Sequence, residues 1–409
     1  MLLGNEMPAV TLRLATAAPA ACWAAALAAA APPPLPLWTA GELNVTLYRI
    51  PVLAALNNGT TLLAFAEARL PCQRSCGKAG VRGSWGDSSP KHVAFRRSTD
   101  AGSSWTATRF IVRSDGTNDN LNLGNVVVDR NGAGAAVLLQ WGGCVHCSCT
   151  GTVPKPAVCK TNSHSNVKQI RSTDAGASWG SIEDISSQVL DSKLAPIFKL
   201  GEGSGVQLPT ETGELVVCGR ISSLGTQGCT HAGGGDAAKM GNCGSACIIS
   251  SDGGHRWVRG GAVAPTAAYG DNECEPALLP NGSILLNMRA GAARLLARSD
   301  DGGRSFVDVH PALDLSPVAN CQGSMATTAD GSTLLFTAPA GRERRNLSLA
   351  VSTTTEGGSW EYTKILHNGP SAYSSLAPTS GKCAALLFEG GADAEASTYQ
   401  HIYFTHVCA

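Results

Sequence analysis

The chain has 409 residues, with 31 Lys+Arg against 31 Asp+Glu and a formal net charge of +0. That balance gives no electrostatic case for a nucleic-acid partner or an anionic membrane surface. Hydrophobic residues make up 43%, enough for a buried core, and 47 glycines with few long helical patterns favour a turn-rich, all-β fold.

Residues 1 to about 36 differ from the rest. Leu14 to Ala31 is almost wholly apolar and Ala-rich, with Arg13 before it and Pro32-Pro33-Pro34 after it. This reads as a secretory signal with a long front end. An organelle transit peptide is the rival reading, opposed by Glu6 and the shortage of Ser. The run is long enough to span a bilayer, but Ala and Pro make it a poor span, so no stable membrane span is expected in the mature chain. The chain is therefore divided into a leader, 1–36, and one domain, 37–409.

Leu47-Tyr48-Arg49-Ile50-Pro51-Val52-Leu53 reads as an edge strand, where Pro51 costs no ladder bond. Leu62 to Ala66 is a second strand, running into Glu67-Ala68-Arg69, and a loop with Cys72, Cys76 and Trp85-Gly86-Asp87 follows. Then comes Ser98-Thr99-Asp100-Ala101-Gly102-Ser103-Ser104-Trp105, which returns three times: from Ser172 to Trp179, from Ser250 to Trp257, and from Ser299 to Phe306. A fifth copy, Thr353 to Trp360, has lost the Asp and kept Gly and Trp. The Asp side chain can accept from backbone N–H groups two residues on, Gly supplies a positive φ, and the aromatic plugs the turn back onto its sheet. Strand-like runs such as Val93-Ala94-Phe95 and Cys247-Ile248-Ile249 lie just upstream. Each copy is therefore a predicted hairpin turn, and the recurrence predicts a repeat architecture.

Of 15 cysteines, Cys22 lies in the leader, which leaves an even fourteen. They cluster as Cys72 and Cys76; Cys144, Cys147, Cys149 and Cys159; and Cys229, Cys243 and Cys247. Pairing within these clusters is expected, in an oxidising compartment. A zinc site at Cys144-Val145-His146-Cys147-Ser148-Cys149 matches no strong metal spacing. Glycosylation triplets at Asn44, Asn58, Asn281 and Asn346 point to the same secretory destination.

Taken together these stretches resemble the sialidase (neuraminidase) superfamily. The repeated turn is similar to its Asp-box. Tyr48-Arg49-Ile50-Pro51 matches its opening signature, and Ala64-Phe65-Ala66-Glu67-Ala68-Arg69 its second stretch. The resemblance continues through the Asp87 loop, Gly203 to Leu208, Asn272-Glu273-Cys274, Asn287-Met288-Arg289-Ala290 and Cys321-Gln322-Gly323-Ser324. It ends with Arg344-Arg345-Asn346-Leu347, Gly369 to Ser374 and Leu387-Phe388-Glu389. It implies a six-bladed β-propeller, with the repeated turns in five blades and the sixth closed by the strands around Tyr403-Phe404 and Tyr48. Such closure leaves no open edge.

The resemblance also implies a site. Arg49, Arg289 and Arg344 would converge on one carboxylate, which planar guanidinium groups bind with paired, charge-assisted bonds. Glu389 would orient Arg49, and Arg69 would contact substituents of the sugar. Glu67 is expected as a structural partner. Tyr373 would be the nucleophile and Glu273 its base, since a neutral phenol avoids the repulsion that a carboxylate meets beside an anionic anomeric centre. Asp87 would be the general acid and then the base. Glu275 departs from the pattern and, by strand alternation, would face the same side as Glu273.

The implied activity is that of a retaining exo-α-sialidase on sialylated glycoconjugates, with no metal or organic cofactor. Rivals are action on the deaminated sugar or a related keto-acid, transfer to a sugar acceptor, or a non-catalytic Asp-box propeller that only binds.

Overall fold

The computed structural model describes residues 33–71, 89–114, 121–131, 134–144, 165–190, 197–222, 243–263 and 273–409. Asp87, the Cys72–Cys76 loop and most of the Cys144–Cys159 stretch lie outside them. Among the described residues no helix is long and apolar enough to cross a membrane.

Strands dominate, in chain order: β1 (Leu35–Thr39), β2 (Leu47–Leu56), β3 (Thr61–Arg69), β4 (Lys91–Ser98), β5 (Arg109–Val112), β6 (Asn122–Asp129), β7 (Ala136–Cys144), β8 (Ser165–Ser172) and β9 (Glu183–Asp184). Next are β10 (Ile197–Leu200), β11 (Gly203–Ser204), β12 (Val206–Gln207), β13 (Leu215–Ser222), β14 (Cys243–Ser250) and β15 (Val258–Val263). Then follow β16 (Cys274–Leu278), β17 (Ile284–Ala290), β18 (Ala293–Ser299), β19 (Val307–Pro311), β20 (Ser324–Thr327), β21 (Leu334–Pro339) and β22 (Arg345–Ser352). The chain ends with β23 (Trp360–Pro378), β24 (Cys383–Gly390) and β25 (His401–Cys408).

Neighbours in sequence pair into antiparallel sheets: β2-β3-β4-β5, then β6-β7-β8-β9 with β11 joined in parallel, then β10-β13-β14-β15 with β12, then β16-β17-β18-β19. The 19-residue strand β23 serves twice. Its first half pairs with β22 in the order β20-β21-β22-β23, and from Ser371 onward it pairs with β24, which leads to β25 and β1. The sheets follow one another around a ring. β2 packs on β6, β7 and β8 on β10, β13 on β16, β16 on β20, and β23 and β24 return to β2. Every residue of β2 is buried, Arg49 included.

The closing strand differs from the sequence expectation. β25 is covered by β1, with Leu35 opposite Phe404 and Pro36 opposite Tyr403, whereas the strand containing Tyr48 opens a sheet of its own. Leu37 and Trp38 are buried there, at 1% and 0% exposure. The proline run just upstream hid this strand, although a proline is tolerated on an edge strand.

The repeated turns are built alike. Ser98 Oγ donates to Asp100 (2.8 Å) and accepts from Gly102 N (2.8 Å), while Asp100 accepts from Ser104 N (2.9 Å) and Ser104 Oγ (2.5 Å). Ser172, Asp174, Gly176 and Ser178 repeat this, as do Ser299, Asp301, Gly303 and Ser305. The Asp therefore reaches four residues on rather than two, with the serine hydroxyl bridging the gap. In the fifth copy Thr354 Oγ1 takes over, accepting from Gly358 N (3.0 Å).

The turns dock on the preceding sheet, and in the fifth Trp360 also meets Phe336 of its own sheet edge-on at 6.2 Å. Trp105 meets Phe404 edge-on at 5.1 Å, and Trp179 meets Phe65 and Phe95 of the first sheet at 5.6 and 5.5 Å. Trp257 Nε1 donates to Gln169 of the second sheet (2.9 Å). A β-carbon on Gly102 would lie 2.3 Å from Phe404, on Gly176 2.7 Å from Leu63, on Gly254 2.2 Å from Leu138, and on Gly357 2.5 Å from Leu285. The turns thus staple neighbouring sheets, the first turn reaching back to the last sheet.

Among the described residues, the disulfides Cys218–Cys247 and Cys383–Cys408 join directly opposed residues of adjacent strands. This corrects the expectation for Cys247, which pairs across β13 and β14 and not within its loop cluster. Cys321 is a buried free thiol, so the fourteen cysteines are not all paired. Strand register, invisible in cysteine spacing, makes the choice.

Candidate active site

Arg49 and Tyr373 stand at breaks of strand register, and Arg344 just before one. In β2 the pairing with β3 skips from Arg49 to Val52, and Ile50 adopts φ 56. A β-branched residue pays for that left-handed conformation. Two bonds hold it: Ile50 N donates to Glu389 Oε1 (2.8 Å), and the same oxygen accepts from Arg49 Nε (2.8 Å). Glu389 Oε2 accepts from Arg49 Nη2 (3.3 Å) and from Tyr373 N (3.3 Å). Glu389 is fully buried at 0% exposure, so one carboxylate ties β2, β23 and β24 together. Burial opposes the Arg49 charge, but Glu389 outweighs it and holds the guanidinium pKa well above its usual value.

Tyr373 lies where β23 skips register between Ser371 and Ser374. A bulge re-aims side chains and bends its strand, a common device beside active sites. Its hydroxyl donates to Glu273 Oε1, over a sequence separation of 100 residues. Arg289 Nη1 donates both to Glu273 Oε2 (2.5 Å) and to the Tyr373 oxygen (3.1 Å). Glu273 immediately precedes β16, and its carbonyl accepts from Arg289 N (2.8 Å), so backbone and side chain fix the same pair.

Arg344 immediately precedes β22, where Asn346 has φ 57 and the register shifts between Arg345 and Leu347. Arg344 Nη2 and Arg289 Nη2 share the Asn320 carbonyl, at 3.1 and 2.9 Å. The Arg49 and Arg344 guanidinium carbons lie 5.0 and 5.5 Å from the centre of the Tyr373 ring. The structure therefore brings Arg49, Arg289, Arg344, Glu273, Tyr373 and Glu389 into one cluster.

Arg69 is buried at the end of β3 and forms an ion pair with Glu67, with Nε and Nη2 each 2.8 Å from Oε2. The other Glu67 oxygen accepts from Leu123 N (2.9 Å), so Glu67 joins the first two sheets, the structural part expected of it. Asp87 lies outside the described residues.

The electrostatics separate the two members of the central pair. Burial pushes the Glu273 pKa up, but the Arg289 charge and the hydrogen bonds from Tyr373 and Arg289 win, leaving it below the usual carboxylate value. Burial, reinforced by the Glu273 charge, drives the Tyr373 pKa well above the usual phenol value. The resting state is an anionic carboxylate beside a neutral phenol, the arrangement a base-assisted phenol nucleophile needs.

Glu275 does not belong to this pair. Its oxygens accept from Ser204 N (2.8 Å) and Met325 N (2.8 Å), and it is buried at 2% exposure. Strand alternation fails as a guide here because β16 begins only at Cys274. Glu275 bridges β11 and β20, a structural tie.

Three residues in or beside the cluster were missed in the sequence. Tyr399, in the connection from β24 to β25, accepts from Arg344 Nη1 (2.7 Å) and lies under the Arg49 guanidinium at 4.1 Å. Asn320 holds Arg289 through its side chain (2.8 Å) as well as its carbonyl. Glu202, just before β11, acts electrostatically on both Glu273 and Tyr373. Asn320 and Glu202 adjoin stretches already singled out, Cys321 to Ser324 and Gly203 to Leu208; Tyr399 carries no local signal.

Residues 89–383 match the family model for the BNR repeat-like domain. The chain is 28% identical over 315 residues to Sialidase-4 of Homo sapiens, covering 74% of this chain and 57% of that protein. It is 27% identical over 417 residues to a sialidase of Micromonospora viridifaciens, covering 94% of this chain and 58% of that one. The chain thus spans less than two thirds of the length of these relatives. Among solved structures, the Hadza microbial sialidase Hz136 superposes with a TM-score of 0.67 at 23% identity, over 92% of this chain and 68% of that one. The all-β ring of sheets has the sialidase propeller fold. The chain belongs to the BNR repeat-like domain family and, with it, to the sialidase superfamily.

Proposed function

We propose that the protein is a retaining exo-α-sialidase that releases terminal sialic acid from glycoconjugates through a covalent bond to Tyr373. The observation that carries this reading is the Tyr373–Glu273 hydrogen bond, flanked by Arg289 on both partners and by Arg49 and Arg344 beside the phenol ring. The relatives named above as sialidases favour the same substrate class.

In this mechanism the three arginines hold the substrate carboxylate. Tyr373 attacks the anomeric carbon while its proton passes to Glu273. The bond to the aglycone breaks, and the leaving oxygen takes a proton from Asp87. Water then attacks the same carbon, giving its proton to Asp87 as the Tyr373 oxygen departs and recovers its own proton from Glu273. Two displacements return the original anomeric configuration. A phenol suits this centre because a carboxylate nucleophile would approach the substrate's own negative charge in a poorly screened pocket.

The test is product analysis on a fluorogenic N-acetylneuraminic acid glycoside. The first sugar detected by NMR should be the α-anomer, and a fluorinated substrate that slows the second step should leave its mass on the peptide containing Tyr373. Release of the β-anomer first, or a label on another residue, would overturn the mechanism. No release at all would leave a sugar-binding propeller. Parallel runs with the deaminated glycoside and with added lactose distinguish a different sugar preference and a transferase.

A further inference from the structure

Glu202 is a carboxyl for which the mechanism above has no part. Its backbone is clamped: Gly201 N donates to Cys218 O (2.9 Å), and the Glu202 carbonyl accepts from Gln322 Nε2 (3.3 Å). A β-carbon at Gly201 would lie 1.9 Å from the Cys274 carbonyl oxygen, so the chain runs hard against the start of β16. From that fixed point the side chain places Oε2 where it is buried and, among the described residues, has no hydrogen-bond partner. Glu273 is the strongest charge acting on it, opposed by Arg220 from β13 and Arg289 from β17; its own charge acts on Tyr373 from β23. Glu202 therefore shares the reaction centre with the nucleophile pair without being bonded to it.

We infer that Glu202 is a substrate-binding residue of this site, a neutral carboxyl that offers its O–H and its vacant lone pairs to a hydroxyl or amide of the bound sugar. The inference rests on the sialidase reading above. A half-buried carboxyl with one covered, unpartnered oxygen and Glu273 nearby favours its uncharged form, because ionisation would set two like charges in a site of low screening. Burial and then the Glu273 charge do hold its pKa well above the usual carboxylate value. The uncharged form also suits the substrate, which brings a carboxylate of its own. A neutral acid can donate and accept at once, so it matches a sugar hydroxyl or an N-acyl group without adding repulsion.

The consequence is a pH limit. As pH rises through the titration of Glu202, a second negative charge appears beside Glu273 and the anionic sugar binds less well. Arg220 and Arg289 soften this effect without abolishing it. The test uses the full chain with the fluorogenic N-acetylneuraminic acid glycoside over a range of pH. In Glu202→Gln the alkaline limb of kcat/KM should move up by about one pH unit or more. In Glu202→Ala, KM should rise by about tenfold while kcat changes much less. Glu202→Gln is close to isosteric, so its pH profile decides the matter even if the alanine variant does not fold. An active wild type whose alkaline limb is identical in Glu202→Gln would overturn the inference and leave the sialidase reading standing. A wild type that releases no sugar takes both down together.

Discussion

The repeated turns at the rim and the charged cluster at the centre are built on opposite plans. At the rim Asp100, Asp174 and Asp301 find all their partners within four residues and in contact with solvent. At the centre Arg49 meets Glu389 across 340 residues of sequence, and Tyr373 meets Glu273 across 100. The rim is made once and copied. The centre is made once only, from residues on several separate strands, with register broken at Arg49 and beside Tyr373. Its strained Ile50 is held by Glu389, which accepts from both Ile50 N and Arg49 Nε. Changes at the centre should therefore cost turnover, and changes at the rim should cost stability.

The largest effect should come from Tyr373→Phe. The change removes one oxygen and leaves Glu273 and Arg289 paired with each other, so the fold has little reason to respond. Turnover of the fluorogenic glycoside should fall by at least about 10²-fold, with a midpoint of thermal unfolding within a few degrees of wild type. A variant that keeps wild-type kcat would remove the phenol from the chemistry.

Glu389→Gln should blur the division, because this residue serves both purposes. Glutamine cannot balance the buried Arg49 charge, and it loses acceptor strength toward Ile50 N and Tyr373 N. Breaking a buried ion pair costs about 3–5 kcal/mol. Urea unfolding should move by an amount of that order, and KM for the acidic sugar should rise as Arg49 loses its orientation. If both stay put, the carboxylate is a bystander.

The two plans also explain what was legible in the sequence. The turns could be read because the five copies repeat a local chemistry on a common frame. The arginines and Tyr373 could be singled out only because their surrounding stretches resembled a family; nothing local distinguishes Arg289 from Arg298, which lies on the surface with Asp300 and Asp308. Tyr399 and β1 escaped because their importance lies in partners far along the chain. The direction in which the turns dock escaped for the same reason. A turn's own residues say that an aromatic will pack on a sheet, but not that Trp105 will pack against Phe404.

Gly102→Ala tests that docking. The substitution adds a β-carbon 2.3 Å from the Phe404 ring at a φ of +87, so the ring or the turn must move. The expected cost is about 1–3 kcal/mol, with kcat unaltered. Gly331, at φ +70, has nothing within 4 Å of its added β-carbon and serves as a control for backbone strain alone. Gly331→Ala should cost about 1–2 kcal/mol, less than Gly102→Ala. Equal losses at the two positions would mean that the rim turns are hairpins and not staples.

Asp100→Asn should have the smallest effect, and its dependence on pH matters more than its size. Hydrogen bonds from the Ser104 side chain and backbone, and then from Ser98, hold the Asp100 pKa at about 2, against an ordinary value of 3.8. A carboxylate whose pKa is depressed by folding contributes stability that is present above its unfolded pKa. That contribution is lost as pH falls through the folded value. The difference in urea midpoint between wild type and Asp100→Asn should therefore be full at pH 5, narrow below pH 3.8, and be small by about pH 2. Asp174 and Asp301, at about 2 in the same setting, should behave alike. A gap that is constant with pH would mean that the side chain's shape, rather than its charge, closes the turn, and the rim would then be held by the docked aromatics alone.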